Sequence, residues 1–272
     1  MLFRSLPDMS APYKGSGKVD HRAWFSPLEY KTLYTRTREL AQSPPTGRSP
    51  TAYEELHDAV LFLGNSGLRP DEALCLTLGD VAIEFDEETR QRILAIEVRG
   101  KRGYGPCKTM PGAVMPFRRI VERRTAAYRA ERQAAGDPGW QTAPVDPNTP
   151  VFPSWPRYQL NSVLGELKLK TDRDGHRRTF YSLRHTYICL RLLDGANAYE
   201  IAKNCRTSVD MIEQHYGVHL KNYINTALVN TRGGVRRDRN KSSLAKHSGQ
   251  TRSRNNSSGR GGTGRRNGLK ST

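Results

Sequence analysis

Only two short runs of this chain, Val81 to Phe85 and Ile93 to Val98, gather β-branched and large apolar residues as strands do. The acidic DEETRQ between them reads as the turn of a β-hairpin, and a third extended segment near Cys107 to Met110 adds to it. The periodic segments on either side are helical. Ser26-Pro27-Leu28-Glu29 is a capping box with proline at the first helical position, and Leu28, Leu33 and Leu40 follow it, so the spacing predicts a helix over 27–42. Tyr53, Leu56, Val60 and Leu63 place one apolar face on a second helix that stops at Gly67, and a short third helix follows Pro70. Residues 113–133 are helical again, 134–157 form a proline-rich loop, and helices resume at about 158–168, 181–194, 197–204, 208–216 and 220–229. The expected class is α+β, mostly α, with one small antiparallel sheet among helices.

Charge then divides the chain. Its 272 residues carry 44 Lys+Arg against 27 Asp+Glu, a formal +17, and from Arg232 onward 12 basic residues and the single acidic Asp238 leave +11. That segment is rich in Ser, Gly and Asn and has too few large apolar residues to offset the entropy of ordering, so a disordered basic tail is expected over 232–272. Such a polycation attracts nucleic acid by releasing counterions, or serves only to keep the chain in solution. Residues 1–25 are polar and read as a flexible N-terminal arm, with order expected from Ser26 and the functional body over 26–231. The longest uncharged apolar stretch, Ala59 to Gly64, is far short of the ~20 residues of a membrane helix, so no membrane partner is expected. The N-terminus has no apolar core before a small-residue cleavage site, which makes the cytoplasm the expected compartment. Cys75, Cys107, Cys189 and Cys205 show no C-x-x-C spacing and are expected to be reduced thiols, mostly buried.

The P-loop, the dinucleotide fingerprint and H-E-x-x-H are absent, so no cofactor and no metal is expected. Four separated fragments remain: GLRPDEALCLTLGDV, VRGKRG, YSLRHTY and TSVDMIEQHYG. In this order and spacing they resemble the catalytic domain of the tyrosine recombinases, the phage-integrase family, over roughly residues 26 to 225. Gly67, Arg69, Glu72 and Leu76 reproduce the family's G-x-R-x-x-E-x-x-x-L element, which makes Arg69 the match to its first catalytic arginine. Lys101 matches the lysine of the β-hairpin, with Lys108 second, and Tyr181, Arg184, His185 and Thr186 match H-x-x-R-H-T. Tyr216 stands where the family has its nucleophile. Two positions depart from the pattern: Tyr181 replaces a histidine, and Thr207, nine residues before Tyr216, replaces histidine or tryptophan.

The chemistry of these residue types fits phosphodiester cleavage without a metal. Planar guanidinium forks match two non-bridging phosphate oxygens, which suits Arg69 and Arg184. Making a phenolate at pH 7 from a tyrosine of pKa about 10 costs roughly 4 kcal/mol, which neighbouring cations offset. A lysine beside the phosphate can protonate the leaving oxygen. His185 is either an internal buttress or a participant, and Glu72 either pairs with a site base or sits in its helix's first turn. The resemblance implies a site-specific recombinase or integrase acting on double-stranded DNA through a 3'-phosphotyrosyl intermediate. It also implies a homo-tetramer on two duplexes, and leaves room for accessory DNA-bending proteins. Such enzymes usually carry a helical DNA-binding domain before the catalytic one, and only 68 residues precede Arg69. The rival expectation is therefore a truncated or degenerate DNA-binding relative without strand exchange.

The tail gives a first test. Ending the chain after Thr231 should weaken binding to every duplex alike and flatten the dependence of log K on log salt. With about −0.9 per phosphate contact, five tail contacts amount to roughly 4 to 5 units of slope. An unchanged slope would show that the tail does not touch DNA.

Overall fold

The computed structural model describes residues 23–100 and 103–216. Among the described residues eight α-helices and three strands follow one another as α1 (Pro27–Gln42), α2 (Pro50–Ser66), α3 (Pro70–Leu74), β1 (Val81–Asp86), β2 (Gln91–Gly100), β3 (Gly103–Lys108), α4 (Val114–Ala134), α5 (Arg157–Glu166), α6 (Phe180–Leu193), α7 (Ala198–Asn204) and α8 (Val209–Tyr216). The α+β, mostly α expectation is met. The helix expected over 220–229 and the tail lie outside the described residues, and no described helix is long and apolar enough to cross a membrane.

Local chemistry sets the helix ends. Ser26 and Glu29 close the capping box reciprocally, with Ser26 N–H donating to Glu29 Oε2 at 2.8 Å, and Tyr30, Leu33 and Leu40 face the core. Helix α2 is the central element, packed against α1, α4 and α6, with Leu56, Ala59, Val60, Phe62 and Leu63 fully buried. It stops where Gly67 turns left-handed at φ +67° and donates to Leu63 O at 3.1 Å. Strands run antiparallel in the order β1-β2-β3, with Val81 opposite Ile96 and Ile96 opposite Cys107. Leu94, Ile96 and Val98 alternate inward on β2. The third strand begins at Gly103, four residues before the segment expected from sequence.

The proline-rich segment before α5 is irregular, as expected, yet it contributes core. Phe152 and Trp155 continue a row of aromatic rings from Phe62 on α2 to Phe180 at the start of α6, with centroids 4.8–5.2 Å apart. One correction concerns the N-terminal arm. Order does not begin at Ser26, because Phe25 is buried and its N–H donates to Thr186 Oγ1 at 2.8 Å. Arg178, 4% exposed, explains the anchoring: it donates to Trp24 O, clasps both Glu29 oxygens at 2.8 and 2.9 Å and lies over the Phe25 ring. A buried cation needs all its donors met, and residues 24–29 meet most of them.

Apolar side chains form two clusters. The larger spans α1, α2, the sheet, α4, α5 and the start of α6; the smaller joins Tyr187, Ile188 and Cys189 of α6 to Ile201, Cys205, Ile212 and Tyr216. Helix α6 therefore belongs to both, and the residues at the junction are Arg184 and His185.

Between α1 and α2, burial and the nearby Arg119 and Arg38 push the His57 imidazole down to about 4, while its Nδ1 lies 3.0 Å from Thr37 Oγ1. A depressed folded pKa contributes stability above the unfolded value of about 6.5 and loses it as pH falls toward 4. Relative to His57→Gln, the native chain should lose up to ~1.4 kcal/mol per pH unit across that window in urea unfolding. A pH-independent difference would contradict this assignment.

Candidate active site

Glu72 is the centre of the site. It is 4% exposed and takes hydrogen bonds from guanidinium groups that come from two distant parts of the chain. Arg69 precedes the first turn of α3 in extended conformation, which lets its backbone N–H donate to Glu72 Oε2 at 2.8 Å and its Nη1 donate to Oε1 at 2.7 Å. Arg206, in the turn between α7 and α8, donates from Nη2 to Oε2 at 2.7 Å and from Nε to Oε1 at 3.4 Å. Arg184, on α6, brings Nη1 to 4.0 Å from Oε2. Burial disfavours the Glu72 carboxylate, but the hydrogen bonds from Arg206 and Arg69 outweigh it and hold the pKa below the usual range. Burial likewise opposes the charge on Arg69, and Glu72 and the Tyr181 hydroxyl more than restore it.

Backbone carbonyls aim the arginines. Arg184 donates from Nη1 to Gly67 O at 2.7 Å and from Nη2 to Cys205 O at 2.6 Å; Arg69 donates from Nη2 to Arg206 O at 3.1 Å. Two consecutive carbonyls of one turn thus hold the two arginines, and that turn carries Arg206 at φ +51°, a left-handed backbone uncommon for a residue with a side chain. Gly67 is needed for more than its φ. A Cβ there would stand 2.4 Å from Tyr187 Cδ1 and 3.0 Å from Cys205 Sγ, so only glycine lets the end of α2 close on α6.

The nucleophile candidate lies alongside. Tyr216 is the last residue of α8, buried, with its hydroxyl 2.5 Å from His185 Nδ1. The His185 ring stands between Tyr216 and Tyr181, at centroid distances of 5.6 and 4.9 Å. The structure thus brings together Arg69, Glu72, Tyr181, Arg184, His185 and Tyr216. Thr207 lies in the turn directly after Arg206, with its N–H donating to Ala202 O.

Lys101 lies outside the described residues, but its neighbour Gly100 abuts Glu72: a Cβ there would be 3.3 Å from Glu72 Cγ. Lys108 is placed differently. It pairs with Ala95, five ladder steps or about 17 Å from Gly100, and alternation sends its exposed side chain to the face opposite Gly105, which packs on Arg206. Sequence reasoning missed Arg206. Nothing in its local sequence distinguishes it, because its partner is 134 positions away and its conformation is one that arginine seldom adopts. No three described His, Cys, Asp or Glu side chains converge as metal ligands do.

The fold, helices around one small three-stranded antiparallel sheet, is similar to that of a solved site-specific recombinase. Among solved structures, the XerH site-specific recombinase in a post-cleavage complex with a palindromic difH substrate matches over 83% of this chain and 57% of that one, at 15% identity and a TM-score of 0.54. XerA recombinase matches over 72% and 58%, at 17% identity and a TM-score of 0.46. The catalytic domain of bacteriophage HP1 integrase matches over 78% of this chain and 96% of its own, at 12% identity and a TM-score of 0.46. The chain spans a little over half the length of the two Xer recombinases. No protein-family model matches the chain, and no curated protein matches it in sequence.

Removing the Glu72 charge tests the arrangement. Glu72→Gln should cost about 3 to 5 kcal/mol at pH 7 in urea unfolding, because three guanidinium groups lose their common anion. A depressed folded pKa gives stability present above the unfolded carboxylate value of about 4.3 and lost as pH falls through the folded one, so the difference should shrink in acid. Equal stability of the two proteins at pH 7 would refute it.

Proposed function

We propose that this chain is the catalytic domain of a tyrosine-type DNA strand transferase, a site-specific recombinase or integrase. One observation carries the reading: Arg69 and Arg184 share one carboxylate and one turn, and Tyr216 lies at hydrogen-bond distance from His185, the residue after Arg184 on α6. Three guanidinium groups and one carboxylate leave a local charge of +2. That matches the two negative charges of a phosphorane formed when a phenolate attacks a phosphodiester. Arg69 and Arg184 bind the non-bridging oxygens, and Tyr216 Oη attacks phosphorus. The bond to the 5'-oxygen breaks, leaving a 3'-phosphotyrosyl link. Lys101, on the segment after Gly100, protonates the leaving oxygen. A 5'-hydroxyl from a partner strand reverses these steps, so rejoining needs no nucleotide hydrolysis.

The function resides in residues 23–231, with residues 232–272 adding non-specific affinity for duplex DNA and a tetramer on two duplexes as the working assembly. Tyr181 supports Arg69 in place of the family's histidine, and Thr207 supplies at most one hydroxyl bond to a phosphate oxygen. The second reading, a DNA-binding relative without strand exchange, is favoured by the two departures from the family pattern, Tyr181 and Thr207, neither of which carries a proton as a histidine does.

Trapping on a library of nicked suicide duplexes separates the two. The native chain should give an SDS-stable DNA adduct at Tyr216 that survives EDTA and is abolished by Tyr216→Phe. Arg69→Lys and Arg184→Lys should each lower adduct formation at least a hundredfold with DNA affinity nearly unchanged, since the bidentate contact matters most in the transition state. An adduct at another residue would overturn the assignment, and no adduct on any duplex would favour the non-enzymatic reading.

A further inference from the structure

The position where the family resemblance puts a histidine holds no imidazole in this chain. That position holds Tyr181, whose hydroxyl serves Arg69. A neutral phenol is too weak a base to take the proton of another phenol. One helical turn later on the same face stands His185, buried, with Nδ1 2.5 Å from the Tyr216 hydroxyl. An imidazole has an ordinary pKa of about 6.5 and a lone pair on one ring nitrogen in its neutral form. We propose that His185 is the catalytic proton acceptor for Tyr216, taking over one turn along α6 the work of the missing histidine. The role rests on the strand-transfer reading above.

The step balances. Before attack the His185 ring carries its proton on Nε2, and Tyr216 donates to Nδ1. As Tyr216 Oη bonds to phosphorus, its proton passes to Nδ1, and the phosphorus–oxygen bond to the 5'-oxygen breaks as that oxygen takes a proton from Lys101. The imidazolium then donates from Nδ1 to the tyrosyl oxygen. In rejoining, the 5'-hydroxyl gives its proton back to Lys101 as it attacks, the bond from phosphorus to Tyr216 breaks, and the stored proton returns to the phenolate. No other reactant is consumed. Burial suits this role, because proton transfer between two groups at hydrogen-bond distance needs no solvent. The same contact has a rival meaning: His185 could hold Tyr216 in reserve, and releasing it would then speed attack.

The test measures adduct formation on nicked duplexes by the full chain with His185→Ala and His185→Gln. The glutamine variant keeps a polar side chain in the space but accepts no proton at neutral pH. Both should be slower by a factor of about 10² to 10⁴. Added imidazole should recover at least tenfold in the alanine variant, which leaves room for it, and little in the glutamine variant. A rate unchanged or raised in both variants would overturn the role and favour the reserve. A second arm needs no DNA: sulfonylation of Tyr216 by phenylmethanesulfonyl fluoride, read by mass spectrometry. It should proceed in the native chain, fall in both variants and return with imidazole. Labelling that depends on His185, without any DNA adduct, would remove the strand-transfer reading and leave the proton transfer standing. An adduct formed equally well without His185 would do the reverse, and a native Tyr216 that neither label nor DNA attacks would remove both.

Discussion

The site depends on one buried carboxylate shared by three guanidinium groups. Arg69 lies three residues before Glu72, while Arg184 and Arg206 arrive from the far side of the sequence, and none of the three could be packed this closely without an anion between them. The pairing is also why the cations remain useful. Glu72 neutralises one charge and leaves two, so the cluster is held together in the folded chain and still carries net positive charge. Around it the fold supplies fixed geometry: Gly67 lets α2 end against α6, and the sheet brings Gly100 against Glu72.

Helix α6 connects this electrostatic centre to the rest of the molecule. Its first turns, with Phe180 and Leu183, are bonded into the larger core, and its later turns, with Tyr187 and Ile188, belong to the cluster that carries Tyr216. Arg184 and His185 sit at the change-over. The arginines and the tyrosine are thus positioned by different cores joined through one helix, and Arg178, one residue before the α6 N-cap, ties the start of that helix back to residues 24–29.

Much of the architecture was legible because its signals are local. Ser26 with Glu29, Pro27 and Gly67 mark helix ends by their own chemistry, and the apolar run over Ile93 to Val98 marks the strand it forms. Less was legible where distant contacts decide. The first residues of β3, GYGPC, have poor strand propensity; they hold because β2 pairs with them and Asn204 bonds both backbone groups of Lys108. Phe25 looks like part of an arm until Thr186, 161 positions away, accepts its N–H. Within the site, the family resemblance singled out Arg69, Tyr181, Arg184 and Tyr216 as candidates, whereas the contact of Arg206 with Glu72 and that of His185 with Tyr216 exist only after folding.

The turn at Cys205–Arg206 has a bearing on how such a chain can change over time. It holds Arg69 and Arg184 with carbonyl oxygens, which every amino acid carries, so exchanging the side chains of this turn leaves those two acceptors in place. Adding or deleting a residue would move them. A site held in this way tolerates drift in residue identity while forbidding changes in local chain length.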